Sequence, residues 1–180
     1  MLHRTQILEA LERLSGHLAK SGVIGEIQFM GGVVMMLAFQ AREATKDVDA
    51  IFAPAQEIRA AAAKVAVEMG LEPDWLNDGA KGFASAPGDY SDQVLPQYPN
   101  LRLLTPTPEY MLAMKIMAAR TGAGADRGDK DDIRTLLAIL GLKTGDSAMA
   151  LVERYYPASQ ILPRSRYLVD QILAEGETQT

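Results

Sequence analysis

The chain contains no cysteine, which excludes disulfides and thiolate metal centres. Its two histidines, His3 and His17, are too few for a histidine-rich zinc site. No apolar run approaches the ~18 residues of a membrane-spanning helix. The opening residues, Met1-Leu2-His3-Arg4-Thr5-Gln6, lack the apolar core of a signal peptide, so no membrane association and a cytoplasmic location are expected. Positive charge is also scarce: 18 Lys and Arg stand against 23 Asp and Glu, a net charge of −5. That argues against a broad electrostatic surface for nucleic acid, though a local basic groove stays open.

What remains is ample for a core. Apolar residues make up 48% of the 180, enough for one compact domain or one domain with a helical extension. Ile7, Leu8, Leu11, Leu14 and Leu18 recur at helical spacing, which predicts an amphipathic helix over roughly 4–20. Glu26 to Met30 alternates as a strand. Val33 to Gln40 reads as a short apolar helix, and Lys46 to Phe52 as a second strand. Pro54 suits a first helical position. The alanine-rich run Ile58 to Met69 follows as a helix closed by Gly70. An irregular stretch reaches about Pro99, and Leu101 to Leu104 is a third strand. Thr107-Pro108-Glu109 combines an N-cap residue, a first-turn proline and a first-turn acid, so a helix is expected over Tyr110 to Arg120. Thr121 to Gly128 is a glycine-containing loop. Helices then cover Asp129 to Leu140, 146–155 and 164–175. The expected fold is α/β of the α+β type: a small mixed sheet flanked by helices over 1–120, followed by a helical extension over 121–180.

The most informative segment is Phe29-Met30-Gly31-Gly32-Val33, followed by Arg42, Thr45 and Lys46-Asp47-Val48-Asp49. Alternation puts Asp47 and Asp49 on one face of a strand, ~7 Å apart along it. Such a pair suits a hard divalent cation, which takes oxygen ligands. Glycines before a helix leave backbone N–H groups open to a phosphate. A metal site beside a phosphate cradle is what phosphoryl transfer requires. Each residue also has a purely structural explanation. Gly31-Gly32 could be a turn needing positive φ or close packing. The aspartates could be the solvated face of a strand, although aspartate is unfavourable there. Arg42 and Lys46 could neutralise them. Lys115 could snorkel from a packed helix or serve a salt bridge. Asp129 and Asp132 suit the first turn of a helix.

Gly31-Gly32, a short helix and Asp47-x-Asp49 on the next strand resemble the signature of the polymerase-β-like nucleotidyltransferase superfamily. Within it, the chain resembles small bacterial nucleotidyltransferase-fold proteins of uncharacterised family related to the AbiEii toxins. Arg42, Thr45 and Asp47-Val48-Asp49 are similar to their arginine–threonine–D-x-D stretch. Pro108 to Lys115 resembles their lysine-bearing helix, and Arg127 with Asp129 to Ile133 their late acidic motif. Asp74-Trp75-Leu76-Asn77-Asp78 resembles a further stretch of the uncharacterised members. The resemblance covers roughly 25–145.

The resemblance implies a Mg²⁺-dependent transferase that moves NMP from a nucleoside triphosphate to a hydroxyl of RNA, protein or a small molecule. A toxin-type role with an antitoxin-like protein partner is part of that implication, as is a non-catalytic nucleotide-binding or interaction module of the same fold. Asp47 and Asp49 would hold Mg²⁺, and Gly31 and Gly32 would meet the phosphates. Arg42, Thr45, Lys115, Asp129 and Asp132 would help bind the nucleotide. A third carboxylate on a neighbouring strand would complete the site. Asn100-Leu101-Arg102-Leu103-Leu104-Thr105 carries no acid, so Asp74 or Asp78 is the expected substitute, with Asp89 and Asp92 in the same stretch. Arg102, Lys115, Arg120, Arg127, Lys130 and Arg134 could form a small basic patch if their helices converge.

Overall fold

The structure is a computed structural model that describes residues 1–85, 87–119 and 127–177. It is α+β, and divides into two compact units. The first comprises Met1–Gly82 and Tyr90–Pro106, the second Phe83–Asp89 and Thr107–Thr180.

The first unit holds the sheet. A two-residue strand β1 (Leu2–His3) leads into helix α1 (Arg4–Lys20). Strand β2 (Gly25–Phe29), helix α2 (Gly31–Leu37), the short β3 (Ala44–Thr45) and β4 (Val48–Ala53) follow. Helix α3 spans Ala55–Met69, and its last turn closes at Gly70 with φ 63°. Two-residue strands β5 (Leu76–Asn77) and β6 (Tyr90–Ser91) precede β7 (Leu101–Pro106). The main sheet has the order β5-β4-β2-β7-β6. β4 runs antiparallel to β2, and β7 parallel to it. β1 and β3 make a separate pair, Leu2 opposite Thr45. One sheet thus joins β2, β4 and β7, strands that fall largely within the expected segments 26–30, 46–52 and 100–104.

Alternation decides which face is covered. Ile27 and Phe29 on β2, Val48, Ala50 and Phe52 on β4, and Leu101 and Leu103 on β7 are buried. α1 and α3 pack against each other and against these strands. They contribute Ile7, Leu11, Leu14 and Leu18 from α1, and Ile58, Ala61, Ala62 and Val65 from α3. At roughly 1.5–3 kcal/mol for each large aliphatic side chain, this layer is the main source of the unit's stability. Trp75 is fully buried, with its indole N–H donating to the Ala62 carbonyl at 3.1 Å. That bond ties the segment before β5 to α3.

The second unit is helical: α4 (Pro108–Ala118), α5 (Arg127–Ile139), α6 (Gly145–Glu153) and α7 (Pro163–Glu177). Thr107 caps α4, its hydroxyl accepting from Tyr110 N–H at 3.4 Å, with Pro108 in the first turn. The same hydroxyl donates to Asp89 Oδ2 at 3.1 Å, and the Tyr155 hydroxyl donates to that oxygen at 3.2 Å. The backbone N–H of Ser85 donates to the Tyr110 hydroxyl at 2.8 Å. These bonds fasten Phe83–Asp89 to the helical unit.

Several boundaries differ from the sequence reading. α2 begins at Gly31 and stops at Leu37, and Gln40 takes φ 53°. β4 starts at Val48, so Lys46 and Asp47 precede it. Pro54 caps α3 with extended backbone angles instead of occupying its first turn. α4 ends at Ala118. The loop expected over 121–128 lies outside the described residues up to 126, as does Arg120, and residues 127 and 128 begin α5.

Candidate functional site

The residues around Gly31-Gly32 come together within the first unit. β2 ends at Phe29, and the backbone N–H of Met30 donates to the Asp49 carbonyl at 2.9 Å. The ladder therefore continues up to the glycine turn and sets Asp49 beside it. Gly31 has φ 65°, and a Cβ added to it would lie 2.9 Å from Asp49 Oδ2. Only glycine combines that backbone conformation with so close a carboxylate. Gly32 faces other groups: its Cβ position lies 3.2 Å from Thr45 Oγ1 and 3.4 Å from Arg42 Nη1. The turn is thus lined by a carboxylate, a hydroxyl and a guanidinium.

Asp47, Asp49 and Ile51 are half-exposed, while Val48, Ala50 and Phe52 are buried. Asp49 therefore lies on the face of β4 opposite α1 and α3, whereas Asp47 is half-exposed in the bend that precedes the strand. Thr45, itself buried, donates from its hydroxyl to the Asp47 carbonyl at 3.1 Å and fixes the turn into β4. Gly31, Gly32, Arg42, Thr45 and Asp49 converge, with Asp47 two residues before Asp49 in the bend that leads into β4.

The acids between 74 and 92 have other neighbours. Asp74 is exposed in a turn. Asp78 accepts from Arg59 on α3 and from Lys81, each at 2.9 Å. The Lys81 hydrogen bond, helped by the charges of Lys81 and Arg59, holds its carboxyl below the usual aspartate range. Asp92 accepts from Arg102 at 3.1 Å, and Arg102 also reaches Glu26 at 3.3 Å. Asp89 is bound within the second unit by Thr107 and Tyr155. Burial, together with the Asp89 carboxylate, raises the Tyr155 hydroxyl above its ordinary value.

Sequence reasoning missed Asn77 as a site residue. β5 runs parallel to β4, with Val48 opposite Leu76 and Asp49 opposite Asn77. Asn77, and neither Asp74 nor Asp78, is the residue that the register sets beside Asp49. Its Oδ1 accepts the Gly79 N–H at 2.8 Å. A two-residue strand shows no period, so the signal available was the Asn77-Asp78-Gly79 turn alone.

Lys115, Asp129 and Asp132 form a cluster of their own in the second unit. Lys115 Nζ lies 2.8 Å from Asp129 Oδ1 and 2.7 Å from Asp132 Oδ2. Lys115 and Asp132 are buried, at 9% and 2% exposure. Arg134 pairs with Asp131 and with Glu175. Among the described residues no group of three or more His, Asp or Glu side chains is placed to hold a metal ion. Among the described residues no helix is long and apolar enough to cross a membrane.

No protein-family model matches the chain, and neither does any curated protein or solved structure.

Proposed function

We propose that the first unit binds a Mg²⁺–nucleoside triphosphate at the Gly31-Gly32 turn, as a nucleotidyltransferase-fold protein with slow or acceptor-restricted transfer of NMP to a hydroxyl. The observation that carries this reading is the close approach of Asp49 Oδ2 to the Gly31 backbone, 2.9 Å from where a Cβ would sit. A side chain on that residue would fill the space in which carboxylate and bare backbone meet. The donor set suits the ion, since Asp47 and Asp49 offer hard oxygen ligands. Bound there, the cation would neutralise charge on the phosphates. Arg42 and Thr45, set against Gly32, would supply a cation and a hydroxyl to the phosphate oxygens. RNA, protein or a small molecule remains open as the acceptor, and an antitoxin-like protein as a partner.

Slow turnover fits better than robust activity. Activation of an attacking hydroxyl calls for a positioned base or a second metal. Asp78 is neutralised by Arg59 and Lys81, Asp74 is exposed, and Asn77 stands beside Asp49. Loss of one positioned base lowers rate by ~10²–10⁴-fold. The same facts favour a second reading, a nucleotide-binding module without transfer.

Calorimetry with ATP, GTP, CTP and UTP in Mg²⁺ tests binding. At least one should bind wild type and fail to bind Asp47→Ala/Asp49→Ala. Absence of binding by all four, or unchanged binding in the double variant, would sink the reading. Transfer of α-labelled nucleotide to total RNA, total protein and the chain itself separates the two alternatives. Binding without transfer selects the module.

A further inference from the structure

On the nucleotide-binding reading above, we propose that Asn77 restricts the site to a single divalent cation and presents an amide donor to the phosphates. Asp49 and Asn77 are register partners on adjacent parallel strands. Both are half-exposed, while their neighbours Val48 and Leu76 are buried, so the two side chains share one face. They also border the same glycine. A Cβ on Gly79 would lie 3.0 Å from Asn77 Oδ1 and 4.0 Å from Asp49 Oδ1.

The orientation of the amide follows from its bond. The Gly79 N–H can only meet an acceptor, so Oδ1 faces Gly79. The NH₂ group is thereby turned the other way, with two donors. A donor cannot ligate a cation, but it can hold a phosphate oxygen. Mg²⁺ is held by carboxylates together with substrate phosphates and waters, so a second cation beside Asp47 and Asp49 would be favoured most by a further carboxylate. The register position that could supply one carries a neutral amide. Asp78, next along the chain, has its carboxylate taken by Arg59 and Lys81. Asn77 is therefore a positioning residue that sets cation number.

Mn²⁺ electron paramagnetic resonance on the full chain, with an NTP analogue uncleavable between the α- and β-phosphates, tests this. Two Mn²⁺ ions ~4 Å apart couple magnetically, whereas one gives an uncoupled six-line spectrum. Wild type should show one uncoupled ion. Asn77→Asp keeps the shape and the acceptor for Gly79 N–H, and should add the coupled pair. Asn77→Ser keeps an acceptor but loses the amide donors. It should retain one ion and bind the analogue about 2- to 10-fold more weakly. A coupled pair in wild type, no second ion in Asn77→Asp, or unchanged analogue affinity in Asn77→Ser would overturn the proposal while leaving nucleotide binding intact. Failure of wild type to bind either Mn²⁺ or the analogue would instead overturn the nucleotide-binding reading, and this proposal with it.

Discussion

Gly31 and Asp49 are spatial complements: the glycine, at φ 65°, leaves the space that Asp49 Oδ2 enters, 2.9 Å from the missing Cβ. Two separate penalties attach to filling it. An L side chain in the left-handed region costs about 1–2 kcal/mol, and the contact with the carboxylate adds to that. Gly31→Ala should therefore lower unfolding free energy by about 2 kcal/mol and weaken any nucleotide binding. In a double-mutant cycle with Asp49→Ala, the steric part should vanish and the backbone part should stay. Urea denaturation of the four proteins checks this. Strict additivity would mean that the two residues do not press on each other.

Much of this region was legible because periodic patterns report on faces. Ile7, Leu11, Leu14 and Leu18 drew α1, and the alternation around Asp49 drew β4 and its exposed face, although it also carried Asp47 into a strand that starts one residue later. Gly31-Gly32 and Asp49 could be joined because a strand, a short helix and a returning antiparallel strand bring them close. Asn77 could not be joined in the same way. Its strand has two residues, and its importance rests on register with β4, a long-range pairing that leaves no local pattern. Asp78 looked equivalent to it in sequence. Alternation instead turned Asp78 toward Arg59 on α3, where ion pairing accounts for it.

Asp78 gives a pH test. Its folded carboxyl is held below the ordinary aspartate range by the Lys81 hydrogen bond and the charges of Lys81 and Arg59. A depressed folded value means that the unfolded chain takes up the proton first as pH falls. The stabilisation is fully present above the ordinary aspartate range and disappears as pH drops through the folded value. Asp78→Asn should therefore reduce stability at neutral pH and match wild type in strong acid. Thermal unfolding across that range measures the difference. A gap that widens on acidification would contradict the assignment.

Trp75 is the only tryptophan, so its fluorescence follows unfolding of the first unit directly. Its buried N–H donates to the Ala62 carbonyl at 3.1 Å. Trp75→Phe removes that donor, while the Ala62 carbonyl, inside α3, keeps its helical partner; the lost bond should cost about 0.5–1.5 kcal/mol, with a cavity term in addition. Circular dichroism melts provide the comparison. A variant as stable as wild type would show that the bond contributes nothing.

Lys115 decides between a structural and a ligand-binding use of its cluster. Its ammonium lies 2.8 Å from Asp129 and 2.7 Å from Asp132, the latter 2% exposed. The desolvated Asp132 carboxylate is paired with that charge, and breaking a buried ion pair from one side costs about 3–5 kcal/mol. Lys115→Met should therefore destabilise the second unit severely. Replacing the pair together, as Lys115→Met/Asp132→Leu, should recover a large part of the loss, because no buried carboxylate then lacks the lysine. Denaturant midpoints of the three proteins give the answer, and nucleotide affinity measured alongside gives its meaning. If Lys115→Met kept its stability and lost nucleotide affinity, the lysine would serve the ligand and not the fold. Destabilisation that the double variant repairs assigns it to the helical unit.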